Sequence, residues 1–217
     1  MREVNFKLYL ITDRKLAGDR GLVAIVEAAL QAAAELVPQP PIAVQLREKD
    51  LGGRALMQLA IELGQVCRRY KVRLLVNGRI DVALAAGADG VHLPSDGISP
   101  ADARKLLGPS KLIGVSTHTA AEITRAEALG ADFAVFGPVF APISKGVYAA
   151  PCGREGLAAA CAAASIPVFA LGGITAARAS ELRDTGAAGA AAIGAIIDAR
   201  DPAQATLELM KELRAWD

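Results

Sequence analysis

Residues 75–99 read LVNGRIDVALAAGADGVHLPSDGIS. The pattern is the end of one strand, a short helix closed by a glycine, and a second strand, with a loop opening after each strand. A strand–helix–strand unit belongs to a parallel sheet, since parallel strands need a long crossover between them.

The same unit recurs in both directions. Short β-rich runs stand at 7–11, 42–47, 73–76, 90–93, 112–116, 133–136, 167–171 and 190–194. Apolar residues at helical spacing fill the gaps, for example Leu22, Ile25, Ala29, Ala32 and Leu36, then Leu56, Leu59, Leu63, Val66 and Tyr70. Eight alternating units predict a closed (β/α)8 TIM barrel, a single domain over residues 1–217. A doubly wound open sheet is the runner-up, but ITDRKLAGDRG follows the first strand where a dinucleotide fold needs its glycine fingerprint. A weak repeat, AAGADGVHL, ALGADFAVFG and DTGAAGAAAIG, marks glycine-ended helices feeding strands. Pro38, Pro40 and Pro41 break the first helix before the second strand.

Composition narrows the function classes. Apolar residues make up 53% and aromatics 4%, enough for one large aliphatic core. The +1 charge balances 24 basic against 23 acidic residues with no basic block, which argues against a nucleic-acid or membrane surface. Cys67, Cys152 and Cys161 show no CxxC spacing, so a structural zinc site is not expected, and the thiols read as reduced and cytoplasmic. Neither a signal peptide nor a membrane span is expected.

In such a barrel the chemistry lies at the C-terminal ends of the strands. There the second strand carries Gln45, Arg47 and Lys49 on one side, a hydrogen-bonding and cationic wall for a phosphate or carboxylate. Ser116 and His118 follow the fifth strand in GVSTHTAAE, where Thr119 and Glu122 have capping-box spacing. A histidine there is more often a cap or surface residue, yet a strand end makes His118 a candidate acid or base. Ser144 and Lys145 sit on the long loop after the sixth strand, and Lys145 could clamp an anion. Gly172 and Gly173 after the seventh strand, and AIGAI at the end of the eighth, suit a backbone phosphate site.

Taken together, LYLITD, VQLREKD, LLVNGRIDVALAAGADGVHLP, GVSTHT, FGPVF…SKG and FALGGIT fall in one order and spacing. The chain resembles the thiamine phosphate synthase and thiazole tautomerase superfamily of small (β/α)8 barrels over nearly its whole length. The resemblance implies thiamine biosynthesis and a thiazole phosphate ligand. It also implies that Gln45, Arg47, Lys49, Asn77, Ser116, Ser144 and Lys145 face the substrate, and that Gly172, Gly173, Ile193 and Gly194 hold its phosphate.

The two branches need different chemistry. A synthase joins a pyrimidine diphosphate to the thiazole phosphate and needs Mg²⁺, hence carboxylates, on the departing diphosphate. Its pattern has Asn-Asp-Arg and His-x-Gly-Gln-x-Asp, where this chain has Asn77-Gly78-Arg79 and His92-Leu93-Pro94-Ser95-Asp96-Gly97. Both metal-holding aspartates fall on glycine, Asp96 stands one place early, and Pro142 replaces a loop threonine. The pattern therefore looks like the metal-independent tautomerase, an isomerase with His118 moving the proton and no cofactor. A synthase with an altered Mg²⁺ site is the alternative, and a non-catalytic thiazole phosphate sensor a third. The expected partner is a small molecule, with a homo-oligomer possible.

Overall fold

Alternation within each apolar run sends one set of side chains inward and the other outward, and every run forms a strand. The computed structural model describes residues 3–141 and 150–216. The strands are β1 (Leu8–Ile11), β2 (Ile42–Leu46), β3 (Arg73–Asn77), β4 (Gly90–Leu93), β5 (Leu112–Thr117), β6 (Phe133–Phe136), β7 (Val168–Leu171) and β8 (Gly189–Ala192). They pair in parallel in chain order, and β8 pairs back onto β1. The result is a closed (β/α)8 barrel.

Around it lie α1 (Arg14–Ala17), α2 (Leu22–Leu36), α3 (Gly53–Arg69), α4 (Ile80–Ala85), α5 (Pro100–Leu107), α6 (Ala120–Ala128), α7 (Gly153–Ala162), α8 (Ala176–Ala179), α9 (Gly194–Ile197) and α10 (Pro202–Leu213). Helix α2 stops before Pro38, as expected. Gly87, Gly130 and Gly186, the glycines of the three repeats, have φ of 66°, 88° and 79°, the left-handed geometry that ends a helix. No helix among the described residues is long and apolar enough to cross a membrane.

Outward residues such as Leu8, Leu10, Val44 and Val76 pack under the helices. Inward residues make a separate core of Phe6, Tyr9, Ile11, Leu75, Phe133 and Phe169. The Phe6 and Phe169 rings stack at 4.8 Å, and Phe133 stands edge-on to Tyr9 at 5.4 Å. Gly114 makes room for this plug: a Cβ there would overlap the Phe133 ring. Polar inward residues come later along the strands, which puts the polar layer above the aromatic floor, towards the C-terminal mouth.

Four strand ends differ from the sequence reading: β3 and β5 run one residue further, to Asn77 and Thr117, while β2 and β8 stop short. β2 stops at Leu46 because the Arg47 backbone N–H donates to the Thr12 hydroxyl at 2.9 Å, leaving the ladder. β8 stops at Ala192, where Ile193 turns the chain into α9.

Candidate active site

The mouth is built on a buried polar layer. Gln45, inward on β2, donates its amide to the Tyr9 hydroxyl at 3.2 Å. His92 on β4 lies between Asn77 on β3 and Gly114 on β5 in the strand register. Its Nε2 is 2.9 Å from Ser116 Oγ, while its buried Nδ1 has no partner among the described residues. Burial, and secondarily the nearby positive charge of Arg47, hold the imidazole down at about 3, so it is neutral near pH 7. A neutral ring has one donor and one acceptor nitrogen, and Ser116 occupies only one of them.

Above this layer Arg47 is half-buried and Lys49 exposed. Both lie past the end of β2, where strand alternation no longer fixes a side, and the charge of Arg47 is felt at His92. His118 is exposed. Its Nδ1 lies 2.6 Å from the Gly137 carbonyl at the end of β6, and its backbone N–H donates to Glu122 at 2.5 Å. Thr119 caps α6, so the capping expectation holds, with Glu122 reaching one residue further back than in the usual box.

On the other flank of β1, Gly172 (φ 105°) and Gly173 (φ 60°) lead from β7 towards α8. Their carbonyls accept from Phe140 N at 3.1 Å and from Arg178 at 2.9 Å, which ties this turn to the segment after β6. Ile193 and Gly194 form the neighbouring turn after β8. The two turns stand side by side at the strand ends, where (β/α)8 barrels habitually hold phosphate on backbone amides. Ser144, Lys145 and Pro142 lie outside the described residues.

Thr12, Tyr9, Glu48 and His92 join this constellation without having been singled out from sequence. Pairing register would have found His92, because it stands opposite Asn77; Glu48 was hidden by lying between two residues of apparent interest.

The thiamine monophosphate synthase family profile matches residues 8–196. The chain belongs to that family. A Geobacter sulfurreducens protein, provisionally named a thiamine-phosphate synthase, is 50% identical over 213 residues, spanning 97% of both chains. The Chloroflexus aurantiacus thiamine-phosphate synthase is 41% identical over 95% of this chain and 92% of its own. Among solved structures, the thiamine phosphate pyrophosphorylase of Pyrococcus furiosus superposes with a TM-score of 0.85 at 34% identity, covering 98% of each chain.

These relatives correct the tautomerase reading drawn from Gly78 and Gly97, and with it the isomerase class and the proton-transfer role of His118. Proteins alike over nearly the whole chain carry the synthase name.

The synthase family is normally Mg²⁺-dependent, so the corner between β3 and β4 has to be tested against that ion. Gly78 has φ 66°, and a Cβ there would sit 3.7 Å from the Pro94 ring. A Cβ on Gly97 would meet both the Pro94 ring and its carbonyl oxygen at 3.1 Å. Pro94 thus occupies the space between the two positions. Asp96 is exposed on the turn, and Asp81 is engaged by Arg79 at 2.8 and 2.6 Å, which holds its carboxyl down at about 2. No group of three or more His, Cys, Asp or Glu among the described residues could hold a metal. The residues at this corner do not fit Mg²⁺, which prefers several oxygen ligands in near-octahedral geometry.

Proposed function

We propose that the chain is a thiamine-phosphate synthase, a transferase that joins a pyrimidine, carried as its diphosphate, to a thiazole phosphate with release of diphosphate. The observation that carries the reading is the synthase name on relatives matching nearly the whole chain. The reading asks for two anion sites, one for each phosphorylated substrate, and the mouth offers two candidates for them. Arg47 and Lys49 at the end of β2 suit the more highly charged diphosphate, since charge-assisted bonds from side-chain cations are the stronger kind. The Gly172–Gly173 and Ile193–Gly194 turns suit the single phosphate of the thiazole. Gln45, Asn77 and Ser116 lie in or beside the buried layer and orient the rings between those anchors. No step is assigned to a metal.

The test is to incubate the purified protein with pyrimidine diphosphate and thiazole phosphate across a Mg²⁺ series and measure thiamine phosphate. Product formation is expected; thiazole phosphate binding by calorimetry with no product at any Mg²⁺ concentration would overturn the reading. Asp96→Ala is expected to shift the Mg²⁺ response by less than about twofold, because Asp96 is exposed and no cluster of His, Cys, Asp or Glu that could hold a metal is found among the described residues. Mg²⁺-dependent activity abolished by this substitution, or restored only at much higher Mg²⁺, would show that Asp96 anchors the ion.

A further inference from the structure

The sequence Arg47-Glu48-Lys49-Asp50 alternates cation and anion, and four such neighbours would ordinarily neutralise one another. They do not. Thr12, wholly buried just past β1, donates its hydroxyl to Glu48 Oε1 at 2.7 Å, and Thr12 Oγ1 in turn accepts the Arg47 backbone N–H at 2.9 Å. Both Glu48 oxygens also accept from the Arg14 backbone N–H, each at 3.1 Å. Asp50 is drawn to the same side, with Arg14 at 2.6 Å and Lys15 at 3.1 Å. The acids therefore face the turn after β1. The side chains of Arg47 and Lys49 make no hydrogen bond or ion pair with the described residues.

Burial raises the Glu48 carboxyl, opposed by the bonds from Thr12 and Arg14. The Glu48 carboxylate accepts three bonds here, one from the Thr12 hydroxyl and two from the Arg14 backbone N–H. It also fixes the backbone from which Arg47 projects, because Thr12 Oγ1 touches both residues. We propose that Glu48, clasped by Thr12 and the Arg14 amide, is a positioning residue that keeps the end of β2 cationic and ordered for a diphosphate. This rests on the assignment of that strand end to the diphosphate under the proposed function.

Thr12→Val removes the hydroxyl at nearly constant shape, and Thr12→Ser retains it. Dissociation constants for inorganic diphosphate by calorimetry, and KM for each substrate, separate positioning from folding. Thr12→Val is expected to weaken diphosphate binding and raise the pyrimidine diphosphate KM by about tenfold, the size of one lost hydrogen-bonded constraint. Thr12→Ser should restore both, and the thiazole phosphate KM should change less than about twofold, because the glycine turns hold that phosphate. Glu48→Gln, which sets an amide against the Arg14 N–H, should follow Thr12→Val. A lowered melting temperature with unchanged diphosphate affinity, or equal changes in the two KM values, would overturn the clasp alone. If Arg47→Ala leaves diphosphate affinity unchanged, the assignment of this strand end falls and the clasp falls with it.

Discussion

Gly173→Ala is expected to lower kcat/KM for thiamine phosphate formation by about 10²-fold or more. At φ 60° an alanine already meets the left-handed penalty of about 1 kcal/mol. Here the new Cβ would also overlap the Ala141 carbonyl oxygen, lie 2.6 Å from an Arg178 guanidinium nitrogen and 3.0 Å from Phe140 Cβ. Arg178 can give way; the Ala141 backbone cannot do so without moving the segment after β6. That guanidinium bonds both Gly173 O at 2.9 Å and Ala141 O at 3.2 Å and lies 5.2 Å from the Phe140 ring centroid, so the two loops move together. A displacement of about 1 Å in a substrate-positioning loop is enough for a loss of about 10²-fold. Gly108→Ala is the control, because Gly108 has φ 73° and nothing within 4 Å of its would-be Cβ. It should cost about 1 kcal/mol of stability and leave kcat/KM unchanged. Steady-state kinetics and urea unfolding of the two variants side by side separate the contact from the backbone conformation. Equal catalytic loss in both would show that contact with Ala141 is irrelevant.

The barrel was legible because its signals are local. Each strand is a short apolar run, each repeat glycine ends a helix, and Thr119 and Glu122 announce the start of α6 within four residues. The inward side of Gln45 follows from the period of a strand, whereas Arg47 and Lys49 lie past the end of β2, where that period stops. What sequence could not supply is partnership across the barrel. Glu48 lies 36 residues from Thr12, and only the β1–β2 register brings them together. His92 and Ser116 are 24 residues apart and meet inside the barrel through β4 and β5.

The functional correction has the same origin. Gly78 and Gly97 were read as marks of a different reaction, since a missing side chain is conspicuous in a motif. The structure gives them a local meaning: Gly78 adopts a φ of 66°, and a side chain on Gly97 would crowd Pro94 at 3.1 Å. The rest of the chain, alike to synthases from end to end, outweighs two loop positions in deciding the bond that is made.

Acid stability should be governed to an unusual degree by His92. In the folded protein its imidazole titrates at about 3, held there first by burial and then by the charge of Arg47; in the unfolded chain it titrates near the ordinary 6.5. Above about pH 6.5 neither state binds the proton and His92 adds no pH dependence. As pH falls below that value the unfolded chain takes up a proton that the folded one refuses, and stability drops by about 1.4 kcal/mol for each pH unit until about pH 3. The total, about 5 kcal/mol, is comparable to the whole margin of many domains. Replacing the ring by an uncharged side chain, His92→Gln, should lower stability at pH 7 through lost packing against Tyr9 and Phe133 yet flatten this slope. Urea unfolding of both proteins from pH 7.5 to 4.5 isolates the effect, because carboxylates common to both cancel in the difference. Parallel curves would mean that the ring accepts a proton in the folded state, through Nδ1 and a partner that burial does not exclude. Converging curves would establish a neutral imidazole under the mouth, able to hold Ser116 in place without adding a charge beside Arg47.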